Sequence, residues 1–125
     1  MKVLVANIGS TSFKFRLFDM RRGATALVEG RTERIGQAGG SCPDYASAIA
    51  ACIGEIAGEG KPLQSLDELA AVGFKAVHAR GISGAVIVDE HVLDAMTEYV
   101  FLAPAHNPPY IAAMRAFQER VLAKL

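Results

Sequence analysis

The segment order β-β-β-α-β-α-α predicts an α/β domain in which a sheet is flanked by helices. Two observations carry that prediction: an opening pair of short apolar runs joined by a Gly/Ser turn, and later stretches whose apolar residues recur at three and four. Val3–Ala6 and Phe13–Phe18 form the hairpin, around the polar connection Asn7-Ile8-Gly9-Ser10-Thr11-Ser12. In its second strand Phe13, Phe15 and Leu17 alternate with Lys14, Arg16 and Phe18, so one face is apolar and the other mostly charged.

The remaining elements follow in order. Met20-Arg21-Arg22-Gly23 reads as a turn, and Ala24–Arg31 as a third strand with Leu27 and Val28 on opposite faces. Ile35–Pro43, with Gly36, Gly39 and Gly40, is loop. From Asp44 to Ala57 the positions Ala48, Ile49, Cys52, Ile53 and Ile56 make one apolar helical stripe, ended by Gly58 and Gly60. Leu66–Leu69 is a short helical turn before a buried strand, Ala70–Val77, and Ala85–Val88 is a candidate further strand. Asp89 and Glu90 complement the dipole at the start of a helix Glu90–Tyr99, whose stripe is Val92, Leu93 and Met96. Phe101–Pro109 is a connection, and Pro108-Pro109 open a last helix, Tyr110–Lys124, with Asn107 as N-cap and Ile111, Met114, Val121, Leu122 and Leu125 on one face.

A chain of 125 residues suits one domain, residues 1–125, and its 51% hydrophobic and 21% charged content is that of a globular protein. Lys plus Arg and Asp plus Glu balance at 13 each, so no global field draws nucleic acid or an anionic membrane, and neither is expected as a partner. The apolar run at the N-terminus stops at Asn7, too short for a signal-peptide core or a membrane span, which makes a cytoplasmic location the expectation. Cys42 and Cys52 stand in neither a CxxC nor a zinc-like arrangement, and no functional role is read for them.

The hairpin turn carries the chemistry. Gly9, Ser10, Thr11 and Ser12 offer backbone N–H groups and three hydroxyls, and Lys14 adds an ammonium, a combination that favours an anion such as phosphate. Gly and Ser also make ordinary turns, but Asn7 places a polar amide at the mouth of an otherwise apolar strand.

Asn-x-Gly-Ser-Thr-Ser-x-Lys after a first strand, with the next strand ending in Asp19, resembles the opening of the acetate and propionate kinases. VGFKAVHARG (Val72–Gly81) is similar to that family's Gly-His-Arg-Val-Val-His-Gly-Gly segment, and LAPAHNP (Leu102–Pro108) to its Leu-Ala-Pro-Leu-His-Asn-Pro segment. The resemblance implies the N-terminal half of an actin-like ATPase (ribonuclease H-like) fold, with a mixed sheet. It further implies an enzyme that uses ATP and Mg2+ to phosphorylate a short-chain carboxylate, acetate or propionate, giving an acyl phosphate, and that can pair as a homodimer when complete.

Carried over by motif, Ser10, Thr11, Ser12 and Lys14 fall on the phosphate side, and Asn7 on a catalytic and metal-side position. Lys75 and His106 match catalytic positions, and Val77, His78, Ala105 and Asn107 join them around the carboxylate. Outside the motif, a histidine before a helix is as readily a cap or a core hydrogen bonder. Two departures stand out: Lys75 replaces an arginine, keeping charge but losing the bidentate fork, and Ala79-Arg80 replace paired glycines, which makes Arg80 an alternative guanidinium. Ala105 replaces a pocket leucine. Family members are much longer, so the resemblance leaves the nucleotide-binding C-terminal domain absent here, and with it another histidine and arginine and a metal-binding glutamate. The expected function is therefore an enzyme part that is inactive alone. A non-catalytic actin-like interaction or regulatory module is the alternative, and a sugar or glycerol kinase-like relative is a third reading that does not account for His-Asn-Pro.

Overall fold

In the computed structural model the described residues are 1–9, 11–23, 25–75, 86–98 and 107–120, with Arg22, Lys75, Asn107 and Arg120 described by their backbone alone. Strands β1 (Lys2–Ile8), β2 (Phe13–Asp19), β3 (Thr25–Thr32) and β4 (Leu69–Lys75) form a sheet in the order β3-β2-β1-β4. β2 is antiparallel to both β1 and β3, whereas β4 pairs parallel to β1, so the sheet is mixed. The helices are α1 (Tyr45–Ile56), α2 (Glu90–Glu98) and α3 (Asn107–Arg120).

Alternation fixes the two faces of the sheet. Leu4, Ala6 and Ile8 of β1 and Phe13, Phe15 and Leu17 of β2 are buried on one side, while Val5, Asn7, Lys14 and Arg16 are exposed on the other. The α1 stripe Ala48, Ile49, Cys52 and Ile56 joins the buried side, as do Ala113, Met114 and Phe117 of α3. The Phe117 ring lies 6.0 Å from that of Phe13 and meets Phe74 of β4 edge-on at 5.5 Å, so α3 is keyed to both sides of β1. β3 gives way beneath Phe15: a Cβ on Gly30 would stand 2.6 Å from that ring.

Polar groups end the helices as the composition suggests. The Asp44 carboxylate accepts the Ser47 N–H at 2.8 Å and caps α1, and Asp89 accepts the Val92 N–H at 3.0 Å at the start of α2. Ser65 and Glu68 form a capping box around a 3-10 turn, Leu66–Glu68, that delivers the chain into β4. Lys2 reaches across to this turn, with its Nζ 3.6 Å from Glu68 and donating to the Pro62 carbonyl at 3.3 Å.

Several expectations shift. Asn7 and Ile8 belong to β1 and not to the turn, because Ile8 is buried and pairs with Phe13 while Asn7 pairs with Lys14. The third strand runs one residue later than expected, Thr25–Thr32, with Val28 turned toward the core and Leu27 exposed. Residues 86–88 form no strand, and Val86 and Ile87 are exposed; Ala85 lies outside the described residues. Asn107 begins α3 and does not precede it as a cap, and Tyr110 and Phe117 are buried positions of that helix beyond the expected stripe. Val121, Leu122 and Leu125 lie outside the described residues, as do Tyr99 and the connection 101–106.

Candidate anion site at the head of the sheet

The β1–β2 connection is held by bonds within itself and from below. Its Gly9 N–H donates to the Ser12 carbonyl at 2.9 Å, closing the hairpin, and the Thr11 carbonyl accepts the Ile35 N–H at 2.9 Å. The Tyr45 hydroxyl, on the first residue of α1, donates to the Gly9 carbonyl at 2.6 Å. Burial pushes the Tyr45 phenol above its ordinary value, opposed by the Ser12 N–H that hydrogen-bonds to it, with Tyr110 adding to the rise. Gly9 lets the Ser12 hydroxyl approach closely: a Cβ there would run into that hydroxyl and turn it aside. One of the backbone N–H groups expected to face an anion, that of Gly9, is therefore already engaged within the turn.

The register then aligns charge across the sheet. Asn7 is opposite Lys14 on one side and Lys75 on the other, and Lys14 is opposite Arg31. Positions Arg31, Lys14, Asn7 and Lys75 thus form one transverse row on four strands. Val5, Asn7, Lys14, Arg16, Glu29 and Arg31 line an open depression on this exposed face. Arg16 pairs with Glu29 at 2.9 Å and Arg31 pairs with Glu33, whereas among the described residues Lys14 makes no ion pair. The arginines are compensated locally, and the Lys14 ammonium remains available to an incoming anion.

Of the expected site residues, Asn7, Lys14 and the Lys75 position come together in this row, and Thr11 and Ser12 sit at its head. The Asn107 backbone opens α3. Ser10, Val77, His78, Arg80, Ala105 and His106 lie outside the described residues, and so does the side chain of Lys75. Tyr45 was not foreseen, since it is 36 residues from Gly9 and only packing joins them. Arg31 and Glu29 were findable by continuing the strand alternation from Lys14 and Arg16 into β3.

Asn7 brings an amide oxygen between two lysine positions, and no group of three or more His, Cys, Asp or Glu able to hold a metal occurs among the described residues. Cys42 and Cys52 are both buried and free, and burial raises the Cys52 thiol to about 12, with Glu55 adding to the rise, so it stays protonated and inert. No described helix is long and apolar enough to cross a membrane.

Comparison with known proteins gives a consistent match. The chain is 39% identical to the acetate kinase of Carboxydothermus hydrogenoformans over 95% of its own length and 34% of that protein's, and 36% identical to the acetate kinase of Mycoplasma capricolum, with 94% and 33% covered. Among solved structures, Porphyromonas gingivalis acetate kinase superposes with a TM-score of 0.82 at 27% identity, covering 94% of this chain and 34% of that one. A propionate kinase from Francisella tularensis has the same fold, with a TM-score of 0.71 at 23% identity over 94% of this chain and 33% of that one. The chain thus spans about a third of the length of the relatives it matches. The sheet and its helices are those of the actin-like ATPase fold. The acetokinase family model matches residues 2–124, and the chain belongs to that family of kinases.

Proposed function

We propose that this chain is the N-terminal part of an acetate kinase-like enzyme that moves the γ-phosphoryl group of ATP to acetate or propionate, giving an acyl phosphate. The observation that carries the reading is Lys14, which makes no ion pair among the described residues, opposite Asn7 and in line with Lys75 in a chain of the acetokinase family. Phosphoryl transfer asks for positioned donors and neutralised charge more than for a covalent group. Lys14 and the hydroxyls of Ser10, Thr11 and Ser12 supply them on the phosphate side. Mg2+ keeps most of its shell as water and phosphate oxygen, so the single amide oxygen of Asn7 is a fitting protein contribution to it. The ion would add further positive charge at the transferring group.

Lys75 and His106 are assigned to the carboxylate and the moving phosphoryl, with Val77, His78, Ala105 and Asn107 around the acyl group. Ala105, in place of a pocket leucine, leaves room for one or two methylenes worth about 0.8 kcal/mol each when buried, which favours propionate over acetate by a few-fold or more. Ala105→Leu should reverse that preference in kcat/KM, and an unchanged ranking of the two acids removes Ala105 from the pocket. A nucleotide-binding domain corresponding to the rest of the relatives completes the cleft, so residues 1–125 alone should form no acyl phosphate from acetate and Mg-ATP.

The test is a chimera of residues 1–125 with the remaining two-thirds of the Carboxydothermus acetate kinase, assayed for acyl phosphate by hydroxylamine trapping. Lys14→Ala or Asn7→Ala should lower kcat on the order of 10²-fold, the effect of removing one preorganised donor, at unchanged Tm. Full activity in both variants, or loss that tracks unfolding, sinks the assignment. Lysine at position 75, where the family has arginine, favours a second reading as a non-catalytic interaction module. Lys75→Arg discriminates: a gain in chimera turnover supports a weakened enzyme, and an inert chimera with either residue supports the module.

A further inference from the structure

We propose that Tyr45 is a positioning residue, its hydroxyl locking the described part of the β1–β2 turn (Gly9, Thr11 and Ser12) in the shape that receives a phosphate. The inference rests on the phosphate reading of the turn given above. Tyr45 acts through the turn's backbone, at the Gly9 carbonyl. The tie is made at the start of the connection, where the hydroxyl donates its proton to the Gly9 carbonyl at 2.6 Å, on the same residue whose N–H closes the turn on the Ser12 carbonyl. Gly9 is the first residue after β1 and Ser12 the last before β2, and the Gly9 N–H to Ser12 carbonyl bond joins them, so holding Gly9 from α1 holds both ends of the connection.

The clamp is anchored independently of the turn. Tyr45 follows the Asp44 cap on the rigid first turn of α1, whose stripe packs into the core under β1 and β2. Ile35 holds the turn from the other side through the Thr11 carbonyl, and its own side chain is buried. With Gly9, Thr11 and Ser12 each tied by a backbone bond, the Ser12 hydroxyl is carried beside Gly9, two residues from Lys14. The elevated phenol keeps its proton through the neutral range, so the donor to Gly9 persists wherever a kinase of this type works. An anchored turn loses little further freedom when an anion binds, which is how such a lock favours binding.

The experiment uses the 125-residue chain and inorganic phosphate. Tyr45→Phe keeps the ring and deletes the hydroxyl. Amide hydrogen exchange at Gly9, whose N–H closes the turn on the Ser12 carbonyl, should quicken about tenfold in the variant, the scale of one lost hydrogen bond holding the turn, while exchange in the β2–β3 ladder stays as it was. Phosphate, titrated while the amide signals of Thr11 and Ser12 are followed, should bind about tenfold more weakly in the variant at a Tm within a few degrees of the parent. Unchanged Gly9 exchange overturns the lock. Faster exchange with phosphate binding equal to the parent's overturns the positioning role, leaving only a structural bond. A parent chain that shows no saturable phosphate response overturns the phosphate reading of the turn itself, an outcome the exchange arm separates from failure of the lock.

Discussion

The two turns of the β-meander make an instructive pair. Both reverse the chain between strands of the same sheet, and both use a glycine. The described residues of the β2–β3 turn are held from within: the Asp19 carboxylate accepts the Arg21 N–H at 3.0 Å, and Gly23 takes a left-handed φ of 71° with open space around it. Among its described residues, the Met20 N–H bond to the Met1 carbonyl at 2.8 Å extends the strand ladder. The β1–β2 turn instead draws on α1 through Tyr45 and on the loop before α1 through Ile35. A turn that merely reverses the chain is complete on its own, and one fastened by remote elements has a position worth keeping.

The glycines offer the largest test of that contrast. Gly9→Ala forces the Ser12 hydroxyl to rotate off a 2.4 Å clash, a small cost in stability that redirects a phosphate donor. Chimera turnover should fall on the order of 10²-fold with little change in Tm. Gly23→Ala should do the reverse, costing about 1–2 kcal/mol for a side chain in the left-handed region while leaving turnover alone. If both alanines alter only melting, the two turns are equivalent and the comparison fails.

A smaller effect is expected at the compensated arginines. Arg16→Ala frees Glu29 in the depression that holds Lys14, so turnover should drop a few-fold, and Arg16→Ala/Glu29→Gln should restore it. Stability should move by less than about 0.5 kcal/mol, since exposed pairs contribute little. A double variant as slow as the single one removes charge compensation as the cause.

The smallest effect belongs to the plain turn. The Arg21 backbone N–H holds the Asp19 carboxyl below its ordinary value, partly offset by desolvation and aided by the Arg21 charge. A depressed folded-state value means that its contribution is present above the ordinary 3.8 and is lost as pH falls through the lower value. Asp19→Asn should thus lower Tm slightly at pH 6, with the difference closing below pH 3.8. A gap that persists to lower pH points to the hydrogen bond and not the charge.

Much of this was legible in the chain because period and chemistry agreed. The alternation of Phe13, Phe15 and Leu17 with charged neighbours fixed the faces of β2, and the spacing of Ala48, Ile49, Cys52 and Ile56 gave α1 its buried stripe. An amide among apolar residues suggests that the strand ends at Asn7, yet the ladder continues through it to Ile8. Val86–Val88 carried strand propensity but no pairing partner, and β-propensity without a neighbouring edge decides nothing. Of the site, the motif residues of the turn were visible and its support was not. Tyr45 and the row through Arg31 depend on packing and register, which no local pattern encodes.

The place of β1 has a consequence for synthesis. Its antiparallel partner follows at once, but its parallel partner begins at Leu69, beyond the meander and α1. Hairpins close small loops quickly, whereas the β1–β4 pairing must close a long one and is correspondingly slow. As the chain emerges from the ribosome, β1, β2 and β3 can assemble while the far edge of Val3-Leu4-Val5-Ala6 still lacks its mate. During that interval the nascent protein presents an apolar strand edge, the feature that invites pairing with a foreign chain. The Lys2 clasp to Pro62 and Glu68 marks where that edge is closed, since it draws the segment leading into β4 alongside the start of β1.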